Sequence, residues 1–181
     1  MSFAKEPLTI VLCLDHAFVS GGQAKVAFDS AIRPQGHRPI VFAAAGPVDD
    51  ALTAAGVEVV CLGQRDLLGN PSRLAAAVQG TWNRPAADEL ARLLGSLPAE
   101  RTIVHVHGWA KALSPSIAVP IARSGLPAVY TIHEYFLFCP NGGFYNYQRG
   151  HTCSLEPLSA ACWATHAIPR TTHASSGAMP G

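Results

Sequence analysis

Between Leu8 and Ile132, short apolar runs rich in β-branched residues alternate with segments of helical periodicity. The runs Leu8 to Leu14, Pro39 to Ala44, Val57 to Leu62, Ile103 to His107 and Ala128 to Ile132 are apolar on both faces, which predicts strands of a parallel sheet covered on both sides. Helical spacing fills the intervals. Gly22 to Ile32 carries Val26 and Phe28 to Ile32 in register, and Asp49 to Ala55 is a shorter helix closed by Gly56. Ser72 to Gln79 and Pro85 to Leu94 follow, the latter with proline in its first turn. Ser114-Pro115 opens a last helix that runs to about Ser124 before Gly125. Right-handed crossovers turn this order into an α/β, Rossmann-like, doubly wound sheet.

From Tyr135 the pattern changes. YFLFCPNGGFYNYQRGHTCSLEPLSAACWATH is aromatic, bears cysteines and is interrupted by glycine and proline. It predicts a long structured loop with one short helix near Leu158 to Trp163. Residues 1–166 are thus expected to form one domain, with 135–166 as its loop region. The last stretch, 167–181, has no periodicity and is expected to be disordered.

Composition narrows the class. A chain of 181 residues, 49% hydrophobic and 14% charged, can bury one ordinary core. The net charge of +1 offers no electrostatic footprint for nucleic acid or an anionic surface. The N-terminal apolar run is short, meets Asp15 and His16 at once and has no small-residue cleavage site, so it is expected to be a strand rather than a signal peptide. No window has the roughly 18 apolar residues of a membrane span. These features lead to an expectation of a cytoplasmic protein, with peripheral attachment at the inner membrane face as the variant. Five cysteines, an odd number, in such a chain suggest reduced thiols or metal ligands before disulfides.

Four constellations could carry chemistry. Ser20-Gly21-Gly22 lies between the first strand and the first helix, at the carboxyl edge where doubly wound sheets bind ligands. There Gly21 and Gly22 either admit an anion to backbone N–H groups or simply make a tight turn. His105 and His107 alternate onto one face of the fourth strand, with His105 expected to be buried and hydrogen-bonded and His107 to emerge at the ligand edge. His133-Glu134-Tyr135 leaves the end of the fifth strand, where a histidine and a carboxylate can bond a polyhydroxylated ligand, move a proton, or cap a loop. Cys139, Cys153 and Cys162 have no zinc-finger spacing; buried thiols are the first reading. A structural zinc with His151 or His166 as fourth ligand is the alternative. Cys13 and Cys61 fall inside strands and are expected in the core.

Taken together, the Gly21-Gly22 turn, the TIVHVHGW strand and above all YTIHEYFLFCPNGGFYNYQRGHTC resemble the N-terminal domain of family 4 glycosyltransferases of the GT-B fold. The resemblance covers roughly residues 8–166, and the His-Glu-Tyr step followed by Cys-Pro-Asn-Gly-Gly is its most specific part. It implies one of two Rossmann-like domains around a cleft, this one holding a glycan or lipid-linked acceptor. It also implies transfer from a nucleotide-sugar with retention of configuration and no required cofactor or metal. Gly21 and Gly22 would face the donor diphosphate, and His133 with Glu134 would serve the reaction. His107, Tyr135, Asn141, Gly142 and Gly143 would line the acceptor side.

The chain departs from that pattern downstream. Complete members are about twice as long and carry a donor-binding domain with a glutamate pair spaced E-x7-E, which this sequence lacks. With GC-rich codons, a different frame through THAIPRTTHASSGAMPG gives a basic amphipathic segment, so a frameshift near His166 is the expectation, together with an isolated chain that transfers no sugar. Two other readings stay open: a non-catalytic subunit that docks on a separate donor-binding domain, and a stand-alone flavodoxin-like module for a nucleotide or flavin.

Overall fold

The computed structural model describes residues 7–33, 36–147 and 149–166; the expected disorder of 167–181 lies outside them. The chain divides into two compact units, residues 1–133 and 134–181. The first is built on a five-stranded sheet: β1 (Leu8–His16), β2 (His37–Ala45), β3 (Glu58–Gln64), β4 (Thr102–Val106) and β5 (Ala128–Tyr130). Its order is β3-β2-β1-β4-β5 and every pairing is parallel. This is the Rossmann-like arrangement that the alternation of elements predicts.

Alternation along the strands divides the core into two layers. Val11 and Cys13 of β1 and Ile40, Phe42 and Ala44 of β2 face one side, where they meet Ala86, Leu90 and Leu94 of α4 (Arg84–Gly95), along with Ile117. The 3-10 turn Pro115–Ile117 leads into α5 (Ala118–Ser124), where the sequence predicts one continuous helix. Leu12, Leu14, Val41 and Ala43 face the opposite side and pack against Ala27, Phe28 and Ala31 of α1 (Gly22–Ile32) and Leu52 of α2 (Asp50–Ala54). Each of the buried valine, leucine, isoleucine and phenylalanine side chains contributes about 1.5–3 kcal/mol by leaving water. Asp49 caps α2 by accepting from Ala51 N, and Ser72 caps α3 (Arg73–Thr81) through Ala75 N.

The fifth strand differs from expectation. It is three residues long, its Val129 is 52% exposed and Ile132 beyond it is 51% exposed. An edge strand with one neighbour can be apolar in sequence without being covered on both faces.

Asn83 joins the α4 layer to the loop after β4. It is buried, caps α4 by accepting from Ala86 N, and donates through Nδ2 to Ala112 O at 2.8 Å. Its backbone N–H donates to Ser114 Oγ at 2.8 Å, and its carbonyl accepts from Ser116 Oγ at 2.9 Å.

The second unit is turn-rich. It contains a hairpin of β6 (Tyr145–Asn146) and β7 (His151–Thr152) and ends in α6 (Ala160–His166), which starts two residues later than the spacing predicts. Among the described residues no helix is long and apolar enough to cross a membrane.

Replacing Asn83 by alanine removes a cap and leaves the Ala112 carbonyl with only the longer bond from Gln79 Nε2, at 3.3 Å. The expected loss is about 2–4 kcal/mol, read as a lower urea midpoint at unchanged m-value; a loss below about 1 kcal/mol would show that this clamp is dispensable.

Candidate functional site at the carboxyl edge of the sheet

Strand β1 turns into α1 on one face, whereas β4 leads to α5 on the other. Their carboxyl ends therefore bound the crevice that a switch in winding direction opens in such sheets. His107 N and Gly108 N both reach Cys13 O, at 2.9 and 3.3 Å, and Thr131 N donates to Val106 O at 3.0 Å. These bonds prolong the ladder past the strands, so that the segments after β1, β4 and β5 begin side by side.

Asp15 sets the floor of this edge. It is buried, and its Oδ1 accepts from Ala112 N at 2.7 Å and Leu113 N at 3.0 Å. Burial raises its pKa, while bonds from the backbone of Leu113, Ala112 and Lys111 work against the rise. Gln23, in the first turn of α1, donates from Nε2 to His107 O. A Cβ on Gly108 would fall 1.6 Å from that amide nitrogen and 3.2 Å from Asp15 Oδ2. Glycine at 108 is thus what lets Gln23 bridge the two segments.

Three histidines gather beside them. The rings of His105 and His107 lie 4.0 Å apart and those of His107 and His133 lie 5.5 Å apart and stacked. His105 Nε2 bonds Thr131 Oγ1 at 2.7 Å, and His107 Nδ1 bonds His133 Nε2 at 3.2 Å. The two β4 histidines do share a face, but the burial order reverses the expectation. His107 is the buried one, at 1% exposure, and His105 is half-buried, because β5 leaves that side of the edge open.

Burial pushes His107 down to about 4, and the charges that His105 and His133 could carry add to this. His105 is lowered for the same reasons, burial first and His133 second. A neutral His107 has two tautomers. Among the described residues nothing bonds its Nε2. A proton there would be a buried donor without acceptor, whereas a bare ring lone pair costs less. The favoured form therefore carries the proton on Nδ1 and donates to His133 Nε2, which leaves a neutral His133 with its own proton on Nδ1.

Gly21 caps α1 without a side chain, and Gly22 opens its first turn. A Cβ at either position would meet nothing within 4 Å, and Gly22 has no positive φ. The fold itself therefore does not require glycine at 22.

The remaining predicted positions belong to the second unit, where the fold already employs most of them. Asn141 Oδ1 accepts from Gly143 N and Cys139 Sγ, each at 3.0 Å, and its Nδ2 donates to Tyr145 O at 2.7 Å. Gly142 has φ 72° and leaves room for the Phe136 ring, 2.8 Å from where a Cβ would stand. Tyr135 N donates to Gly142 O at 3.0 Å, and its ring meets Phe144. Glu134 begins this unit and is half-buried. Cys139 and Cys162 are buried and Cys153 is partly so; none of the five cysteines forms a disulfide among the described residues, and Cys13 lies in the core with Cys61 at its margin. Among the described residues no three His, Cys, Asp or Glu side chains are gathered as a metal would need.

Sequence reasoning missed Asp15, His16, Gln23 and Asp66. The only available signal was an acid and a histidine closing an otherwise apolar strand, which marked where the strand stopped and nothing more.

No family model matches the chain, and neither the curated proteins nor the solved structures yield a match.

A histidine held below its ordinary pKa favours the folded state above about pH 6.5 and loses that contribution as pH falls toward about 4. His107→Gln should therefore lose less stability than the parent across that window in denaturant titrations at stepped pH. Parallel curves for the two proteins would remove His107 from the acid response.

Proposed function

We propose that this chain is the acceptor-side, Rossmann-like half of a nucleotide-sugar-dependent glycosyltransferase similar to family 4, acting on a glycan or lipid-linked acceptor. The observation that carries the reading is the convergence of three segments at one edge. Ser20-Gly21-Gly22, His107-Gly108 and His133 follow three adjacent parallel strands at the place where the winding reverses. Support also comes from Gly22, whose lack of a side chain serves no contact inside the fold and suits close approach by a phosphate. The resemblance of HEYFLFCPNGGFYNYQRG to that family supplies the reaction type.

In this reading the amides opening α1 stabilise charge on the departing diphosphate. His133 approaches the donor sugar with its Nδ1 proton, and His107 acts as a positioning residue that fixes the tautomer of His133. By the resemblance Glu134 also serves the reaction, and Tyr135, Asn141, Gly142 and Gly143 belong to the acceptor side. The nucleotide is held chiefly by a second, donor-binding domain, in the cytoplasm or at its membrane face, and no cofactor takes part.

The 181-residue chain alone is expected to bind weakly and to turn over nothing. Titrating the isotope-labelled protein with nucleotide-sugars should shift the amides of Gly21, Gly22 and His133 with dissociation constants of order 1 mM, about −4 kcal/mol. Gly22→Ala should abolish these shifts while leaving stability within about 1 kcal/mol. Silence across a panel of nucleotide-sugars and glycans would overturn the proposal. Sub-micromolar binding of a flavin or a free nucleotide would replace it with the stand-alone module.

A further inference from the structure

We propose that Ser20, His16 and Asp66 form a second reactive site, a serine nucleophile with its own base, directed at small carboxylic esters. Ser20 Oγ lies 3.0 Å from His16 Nδ1, and His16 Nε2 lies 3.2 Å from Asp66 Oδ2. The three groups come from the end of β1, the turn before α1 and the loop after β3. His16 is buried, Asp66 is half-buried and Ser20 is exposed, so the nucleophile faces solvent while its base does not.

The direction of the relay follows from Asp66. Gly69 N donates to its Oδ1 at 2.6 Å, and this bond, followed by the His16 ring, holds the carboxyl below the usual aspartate range. An ionised Asp66 can only accept, so it fixes the His16 proton on Nε2. In the neutral ring Nδ1 is then a lone pair, and the Ser20 hydroxyl donates to it. A hydroxyl donating to an imidazole that is oriented by a carboxylate is the arrangement by which serine is activated on unrelated folds; here the two ring nitrogens exchange places.

The loop is built to hold this geometry. Leu67 N donates to Lys111 O at 2.9 Å, and Gln79 Nε2 of α3 donates to Arg65 O at 2.9 Å, so Asp66 is fixed from both sides. After Ser20 the chain enters α1 through Gly21, with no side chain capping the helix, and the amides of this first turn are donors for an oxyanion. Ser20 stands on an exposed turn, not at the foot of an apolar cleft, which suits a short acyl group.

The step balances as follows. Ser20 Oγ bonds the ester carbonyl carbon as its proton passes to His16 Nδ1, and the carbonyl pair moves onto oxygen. The C–O bond to the alcohol then breaks, and the alcohol leaves with the proton from His16. Water repeats the sequence on the acyl-serine and releases the acid. The inference needs neither His107 and His133 nor a second domain; it shares with the sugar-transfer reading only the turn and the amides that open α1.

The test uses the full chain with p-nitrophenyl acetate and, separately, a fluorophosphonate that forms an Oγ–P bond and expels fluoride. Mass spectrometry of peptides should place the acetyl and phosphonyl groups on Ser20, and Ser20→Ala should abolish both. His16→Gln and Asp66→Asn should each slow labelling at least about 100-fold. Melting curves confirm that each variant folds, and Asp66→Asn, at a half-exposed position, carries the comparison if His16→Gln does not. Absent labelling of Ser20, or labelling at an equal rate in folded His16→Gln or Asp66→Asn, would overturn the proposal and leave the relay as a brace for the β1–α1 turn.

Discussion

The carboxyl edge depends on one buried carboxylate. Asp15 accepts two backbone N–H groups from residues 112 and 113, nearly 100 positions away in the chain, and so fixes the loop after β4 against the end of β1. That loop in turn supplies Lys111 O to the strand β3 exit and Ala112 O to Asn83. Burial raises the cost of the charge at Asp15, and the backbone donors offset it in part. A carboxylate in that position orders a loop that has little regular structure of its own.

Chemistry on either side of Asp15 follows from what the surrounding fold leaves open. On the β4–β5 side, the short edge strand exposes Val129 and leaves His105 and His133 half-open on either side of a buried His107. Burial first, and then the neighbouring imidazoles, keep His105 and His107 neutral, so neither brings a positive charge to this edge. On the β1–β3 side, His16 meets a carboxylate held ionised by Gly69. Histidine therefore meets a hydroxyl on both sides of this sheet edge, with a second imidazole as the further partner in one place and an acid in the other.

The second unit shows why motif resemblance and folding requirement are hard to separate. Cys139, Asn141, Gly142 and Gly143 form a closed set of bonds, with Gly142 in a left-handed conformation against Phe136. Such a knot explains this spacing of residues by itself. Nothing in those bonds calls for a ligand, whereas His107 and His133 are held against each other at the sheet edge by a ring-to-ring hydrogen bond.

The sequence alone determined the order and type of the main elements, because periods of 2 and 3.6 in apolar positions are local and strong. It also placed Gly21, Gly22, His107 and His133 at one edge, since parallel strands joined by crossovers put all their exits on the same side. Only the tertiary structure decided that His107 is buried and His105 half-open, because this depends on how far β5 extends. The pairing of His16 with Asp66 and of Asp15 with residues 112 and 113 was likewise out of reach. Those contacts join segments 50 to 98 positions apart, and no periodicity along the chain encodes which loop folds over which strand end.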